Sequence, residues 1–282
     1  MSNLLGAINP IAFSLGPLDV YWYGIIIAAA IFVAIFLSTR EAEKRGIDGE
    51  HIVDMALWAL PIAFIGARLY YVIFELSYYL QNPGEIIAIW NGGIAIYGGL
   101  IAGGLTVFWY TKKHGIPLWL MLDILAPSVL LAQAIGRWGN FMNQEAHGGE
   151  VTRSFLENLY LPEFIIKQME INGMYYQPTF LYESLWSLIG FVLIIILRNK
   201  NQFFRQGEVA LSYVLWYSLG RFFIEGLRTD SLWIFNLIRV SQALSVVLFI
   251  GALSLWIYRR RDYPPVPYYL DGMNQSKKKQ SK

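Results

Sequence analysis

The chain has 282 residues, 56% of them hydrophobic, with a mean hydropathy of +0.42 and a formal net charge of +2. Apolar residues in a soluble domain run nearer half, so composition argues against one; the net charge carries no message apart from its distribution. The chain has no cysteine and three histidines, which excludes a disulfide, a thiolate nucleophile or a Cys metal site and argues against a multi-histidine centre.

Ten Trp and eighteen Tyr suit a protein with two membrane–water interfaces, where such rings settle. No basic n-region precedes the first apolar stretch and no small-residue cleavage site follows it, so no removable signal peptide is expected. Seven segments reach the roughly twenty residues that a spanning helix needs: 19–38, 52–74, 94–110, 116–135, 179–197, 208–227 and 236–258. The expected fold is an all-α membrane bundle of seven helices. Spans one to four occupy 1–135, with an external arm near 75–93, and spans five to seven occupy 179–258. Between them, 136–178 is too long for a bare loop in a compact protein. It is expected to form a small external head, with a short helix near 154–170 and an extended piece near 171–178. Gly99 and Gly103 in the third span form a G-x-x-x-G pair suited to close helix packing. No internal repeat is evident. The tail, 259–282, is Pro-, Tyr- and Lys-rich, and its KKK run is expected to stay solvated or touch anionic headgroups.

Lys and Arg counts orient the bundle. Connections 39–51, 111–115 and 198–207 and the tail carry 15 basic residues; the N-terminus, 75–93, 136–178 and 228–235 carry 4. Positive residues favour the cytoplasmic side, so the N-terminus is expected outside and the C-terminus in the cytoplasm.

A charge near the bilayer centre costs at least ~2.5–3.5 kcal/mol on insertion scales, so each one asks for a reason. At about 1.5 Å per residue, Arg68 lies roughly 9 Å below the outer end of span two. Arg137, Arg221, Glu225, Glu183 and Arg239 fall near outer span ends, as do Tyr23 and Tyr97. Asp54 and Asp123 lie at cytoplasmic starts, where a carboxylate favours the helix dipole. Any single arginine reads first as an ion pair or a headgroup snorkel. Arg68, Arg137, Arg221 and Arg228 together, with few carboxylates nearby, read as an anion site. In span six Tyr217, Arg221, Glu225 and Arg228 share one helix face. Arg221 and Glu225 stand at i,i+4 and can pair directly. Guanidinium suits bidentate phosphate binding. The cluster therefore points to a phospholipid headgroup.

Where the fourth span is expected to end, residues 136–148 read G-R-x-G-N-F-x-N-x-E-x-x-G. Eight specified positions fall in thirteen residues: Gly136, Arg137, Gly139, Asn140, Phe141, Asn143, Glu145 and Gly148. His147 within it reads as a bystander before a base. No H-E-x-x-H, G-x-S-x-G or phosphate loop ending in G-K-[ST] occurs.

This string closely resembles the signature of the prolipoprotein diacylglyceryl transferases. The resemblance runs from about Val20 to Arg260. It includes Tyr21-Trp22-Tyr23-Gly24, the run from Gln177 to Glu183, and Gly220-Arg221-Phe222-Phe223-Ile224-Glu225 with Arg228. It implies a seven-span inner-membrane enzyme. Such an enzyme moves the diacylglyceryl group of phosphatidylglycerol onto the lipobox cysteine of a preprolipoprotein and releases glycerol 1-phosphate. The implied partners are that lipid, lipobox-bearing signal peptides and membrane lipids, with no nucleic acid, cofactor or metal. Carried over by position, Arg137 and Arg221 are the essential arginines, and Tyr23, Asn140, Glu145, Gly148 and Glu225 support them. Asn143, Arg68, Gly98, Gly99, Tyr217 and Arg228 complete the expected substrate contacts. Family members often carry His-Gly-Gly at the start of span three, and that histidine has been proposed as a base. Here the string is Tyr97-Gly98-Gly99. Tyr97, with a reference pKa near 10, is expected to donate a hydrogen bond instead. The alternative is a phospholipid-binding transporter or scramblase that uses the same arginines without breaking a bond.

Overall fold

The computed structural model describes residues 7–88, 92–229, 233–234, 238–261 and 265–272. A hairpin of β1 (Ile11–Leu15) and β2 (Leu18–Tyr21) leads into α1 (Trp22–Lys44) and α2 (Glu50–Phe74). A short helix α3 (Leu76–Gln81) and a 3-10 turn (Pro83–Ile87) precede α4 (Ile96–Lys113) and α5 (Leu118–Met142). Next come β3 (Glu150–Val151), α6 (Arg153–Asn158), α7 (Glu163–Gln168), β4 (Glu170–Ile171) and β5 (Met174–Tyr176). Helices α8 (Thr179–Arg198) and α9 (Glu208–Glu225) follow, then β6 (Trp233–Ile234), β7 (Ile238–Arg239) and α10 (Val240–Arg260).

Among the described residues five helices are long and apolar enough to cross a membrane: α1, α2, α5, α8 and α10. The other two expected spans are α4 and α9, helices of 18 residues each. They are less apolar for different reasons. Four glycines interrupt α4, whereas α9 carries Glu208, Arg221 and Glu225. The KKK run of the tail lies outside the described residues.

Helix α5 runs past the expected end at 135 and stops at Met142. Arg137 and Asn140 therefore project from its last turns instead of from a loop. The head differs from the single expected helix too. Leu159 to Pro162 separate α6 from α7, and Thr152 caps α6 by accepting from the Phe155 amide at 3.2 Å. The expected extended piece is a hairpin, β4–β5, turning on Asn172 (φ 54°) and Gly173 (φ 80°). An Asn-Gly pair with both φ values positive is what a two-residue hairpin needs. Strand β3 pairs with the other edge of β5, giving the order β3-β5-β4.

The chain packs as two compact units, residues 1–36 with 123–271 and residues 37–122 with 272–282. In the first, Phe141, Leu156, Ile165, Ile166, Met169 and Phe180 form one buried cluster that seats the head on the ends of α5 and α8. Gln168 of α7 donates to the Phe141 and Met142 carbonyls at 3.0 and 3.3 Å, satisfying acceptors that a helix end leaves open. Helices α8 and α9 are joined by a reciprocal clasp. Trp186 Nε1 donates to the Trp216 carbonyl at 2.9 Å, and Trp216 Nε1 to the Trp186 carbonyl at 2.8 Å. Their rings stack at 4.3 Å. Gly190 and Gly220 make room, because a Cβ at either would overlap the facing indole. The clasp fixes the register of the two helices.

Asp123 corrects an expectation. It does not serve its own helix. Fully buried, it accepts from the Gly207 amide at 2.6 Å and the Ala210 amide at 2.8 Å, so it caps the N-terminus of α9 from α5.

In the second unit α2 and α4 pack backbone to backbone. A Cβ on Gly98 would overlap the Gly66 carbonyl, and one on Gly66 would overlap Ala102. Gly99 and Gly103 lie against Ala63, as the G-x-x-x-G pair predicts. Arg68 of α2 is buried and turns toward the arm. Its Nε donates to the Ile86 carbonyl at 2.8 Å, Nη1 to Gly92 and Gly93 at 2.7 and 2.6 Å, and Nη2 to Glu85 at 2.6 Å.

Candidate functional site

Glu183 is the centre of the site. It stands on the first turns of α8, one turn from the Trp186 clasp, and its side chain is buried. Three arginines converge on this one carboxylate. Arg137 of α5 pairs through Nε with Oε2. Arg221 of α9 reaches Oε1 through Nη1 at 3.2 Å, and Arg228, beyond the end of α9, reaches the same oxygen at 3.3 Å. The second carboxylate, Glu225, takes Nη2 of Arg221 at 2.5 Å, the i,i+4 pair expected from spacing. Three guanidinium groups and two carboxylates leave a net positive charge in a mostly buried setting. Pairing with Glu183 and Glu225 offsets part of the desolvation cost. It also holds the guanidinium planes in place, and a guanidinium has five N–H donors, more than one carboxylate oxygen takes.

A cavity opens beside this cluster. Its lining includes Arg137, Arg221, Glu183, Tyr217 and Gln133, with Trp186 and Gly220 of the clasp, and its empty space of about 300 Å³ is in part open to solvent. The clasp thus has a chemical consequence: Gly220 precedes Arg221 and Trp186 follows Glu183 by one turn, so fixing the helix register fixes the ion pair.

The signature runs from α5 into a stapled loop. Arg137 Nη1 donates to Asn140 Oδ1 at 3.4 Å, and Asn140 Nδ2 donates to Glu145 Oε1 at 2.8 Å, linking three of the expected residues in series. Gly139 accommodates Tyr23, since a Cβ there would stand 2.8 Å from the tyrosine ring. Gln144 and Ala146 take positive φ values of 53° and 57°, a strained conformation that persists only where the surroundings enforce it. They do so here. Gln144 Nε2 donates to the Gln168 carbonyl at 2.8 Å, and Thr179 Oγ1 donates to the Ala146 carbonyl at 2.6 Å. Gly148 bridges Arg228 in antiparallel fashion and donates to the Gln177 carbonyl at 3.0 Å. A Cβ on Gly148 would come within 2.7 Å of Gln177 Cβ. Its place in the motif is steric: it lets the loop lie between the start of α8 and the end of α9.

The remaining expected residues divide. Tyr217 lines the cavity. Asn143 is exposed on the turn after α5. His147 lies with Nδ1 3.1 Å from the Gly148 carbonyl oxygen and its ring 4.2 Å from that of Tyr176, a packed position. Tyr97, half-buried, opens α4 in the second unit, where Gly98 and Gly99 pack against α2 and Arg68 is held by the arm. Glu183 itself was not among the expected site residues, although Gln177 to Glu183 stood out as a motif. The available signal was a carboxylate on an apolar helix near the depth of three arginines. Among the described residues no group of three or more His, Asp or Glu is arranged to hold a metal ion.

The family model described as prolipoprotein diacylglyceryl transferase matches residues 10–258. Relatives called phosphatidylglycerol–prolipoprotein diacylglyceryl transferase include one from Lactiplantibacillus plantarum, 58% identical over 98% of both chains. Another, from Lactobacillus acidophilus, is 59% identical over 94% of both. A third, from Pediococcus pentosaceus, is 56% identical over 99% of this chain and all of its own. The arginine-and-carboxylate site stands within the matched residues, and the chain belongs to the prolipoprotein diacylglyceryl transferase family.

Proposed function

We propose that the chain is a phosphatidylglycerol–prolipoprotein diacylglyceryl transferase, acting on the lipobox cysteine of an exported preprolipoprotein in the first step of lipoprotein maturation. The observation that carries the reading is the convergence of Arg137, Arg221 and Arg228 on the buried carboxylate of Glu183 beside a cavity. The thiol sulfur attacks the glyceryl methylene and a C–S bond forms. The C–O bond to phosphate breaks, the electron pair leaves on glycerol 1-phosphate, and the thiol proton passes to solvent or a nearby carboxylate.

Negative charge on the phosphate grows as the C–O bond breaks. Donors already fixed at that position favour the transition state over the ground state. Arg137 and Arg221 take this role, and Arg228 adds charge from the chain end of α9. Glu183 and Glu225 keep the guanidinium planes oriented. Asn140 and Glu145, in series with Arg137, hold the incoming peptide. A thiol of reference pKa ~8.5 carries a few per cent thiolate near neutral pH, and neighbouring arginines raise that fraction.

The membrane arrangement belongs to the same proposal. All seven apolar helices, α1, α2, α4, α5, α8, α9 and α10, cross the membrane. The head lies outside, the C-terminus lies in the cytoplasm, and the site works in the outer leaflet half of the bacterial plasma membrane. The 15-to-4 asymmetry in basic residues supports this orientation. Single cysteines at Asn158 in the head and Gln202 between α8 and α9 test it in a chain that has no other cysteine. Only the Asn158 variant should react with an impermeant reagent in intact cells whose outer barrier, if any, has been opened. Labelling at Gln202 would reverse the orientation.

The activity is tested by incubating purified protein with labelled phosphatidylglycerol and a lipobox peptide. A thioether-linked diacylglyceryl peptide and an equivalent of glycerol 1-phosphate are expected. Lipid movement between leaflets without either product would favour the transporter reading.

A further inference from the structure

Gln133 is the sole polar side chain of α5 between Ser128 and Arg137. It stands four residues before Arg137, on the same face of the helix, and lines the same cavity. Its Nε2 donates to the Tyr213 hydroxyl of α9 at 3.0 Å, and the Tyr213 ring stacks on that of Tyr217 at 6.0 Å. The other end of the amide, Oε1, is buried and has no hydrogen-bond partner among the described residues. Leaving a buried acceptor unpaired costs ~1–3 kcal/mol, so a polar side chain here asks for a ligand that pairs with it.

The chemistry of that ligand can be narrowed. Oε1 needs a donor. On phosphatidylglycerol the donors are the headgroup hydroxyls; ester and phosphate oxygens only accept. Turning the amide over would present Nε2 instead, and a hydroxyl, which both donates and accepts, would still satisfy it. An ammonium headgroup also donates, but three arginines on two carboxylates repel it. Reach agrees as well. One helical turn is about 5.4 Å, a span that a three-carbon headgroup covers from a phosphate held on Arg137.

We propose that Gln133, held in place by Tyr213, reads the headgroup: its free amide end binds a hydroxyl of the neutral polyol whose phosphate lies on Arg137 and Arg221. This rests on the phosphatidylglycerol reading above. The headgroup then points into the cavity, and the glyceryl carbon to be attacked points away from it, toward the arriving thiol. The leaving glycerol phosphate stays in its pocket as the C–O bond breaks. Tyr213 is a positioning residue, acting through the amide.

The test compares two lipids with the same acyl chains: phosphatidylglycerol and an analogue whose headgroup is n-propyl, without hydroxyls. Wild-type protein should prefer phosphatidylglycerol by roughly tenfold in kcat/KM, the size of one hydrogen bond to a neutral group. Gln133→Met, of similar length and apolar, should lose about that factor on phosphatidylglycerol and little on the propyl lipid, bringing the ratio near one. Tyr213→Phe should leave a preference of about threefold. Equal losses on both lipids in Gln133→Met, or full preference retained in both variants, would overturn the assignment. Binding of the two lipids to protein in nanodiscs gives the same ratio without turnover. If wild-type protein makes no thioether product, the activity reading fails, while the binding ratio still decides the role of Gln133.

Discussion

Arg68 and Arg137 are both arginines on apolar helices, and the chain accommodates them in opposite ways. Arg68 spends its N–H groups on the carbonyls of Glu85, Ile86, Gly92 and Gly93 and has no carboxylate partner among its described contacts. Arg137 shares a carboxylate with two other arginines beside a cavity. In the first case a guanidinium ties the end of the 3-10 turn to the glycines that precede α4. In the second, an excess of positive charge is held at a place where a ligand can complete it. A buried arginine is therefore not by itself an anion site. What its donors already hold decides.

Glu183 should prove the most sensitive position on the Arg137 side. Glu183→Gln removes the shared partner of three guanidinium groups, and leaving buried charges unpaired costs roughly 3–5 kcal/mol. Loss of detectable transfer is expected together with a lower unfolding temperature, and Glu183→Asp should recover part of both. Ordinary stability and turnover in the Gln variant would show that the carboxylate is not the hub.

Arg137→Lys follows. It keeps the charge but cannot reproduce a bidentate phosphate contact, and loss of one transition-state donor costs roughly 100–1,000-fold. Its unfolding temperature should change little. Near wild-type turnover would make Arg137 a structural charge of the Arg68 kind.

Arg68→Lys reverses the signature. An ammonium cannot span carbonyls on both sides of the arm, so cleavage by added protease within 85–93 should quicken several-fold, with a lower unfolding temperature. A phosphate-binding defect with an intact arm would erase the contrast between the two arginines.

The smallest effect is expected at Tyr97. As a hydrogen-bond donor it contributes about 1 kcal/mol, so Tyr97→Phe should slow transfer less than about tenfold and leave the pH–rate profile unchanged. An inactive but folded Phe variant, with a wild-type rate that climbs toward alkaline pH, would make Tyr97 the proton acceptor.

Apolar length made the long helices legible, because a lipid-length run of hydrophobic residues leaves few alternatives. The end of α5 was misplaced by seven residues, since Gly136 and Gly139 look like breakers. Gly139 in fact stays helical and leaves room for the Tyr23 ring. The short strands of the head carry too few residues to show a period, and their turn at Asn172-Gly173 fell inside the piece read as extended. The site was legible as a set of residue types at one depth. Its wiring was not, because the convergence on Glu183 depends on three helices whose register is set by tertiary contacts such as the Trp186–Trp216 clasp. The role of Asp123 was hidden for the same reason: its partner Gly207, just before α9, lies 84 residues away.

The central claim, that the Glu183-centred arginines form a phosphate site, is tested most directly by glycerol 1-phosphate binding to detergent-solubilised protein, followed by ³¹P NMR. Saturable binding is expected for the wild type, weakened at least about tenfold in Arg137→Lys and in Arg221→Lys, and unaffected in affinity by Arg68→Lys. Equal affinity in the wild type and both of the cluster variants would contradict the account.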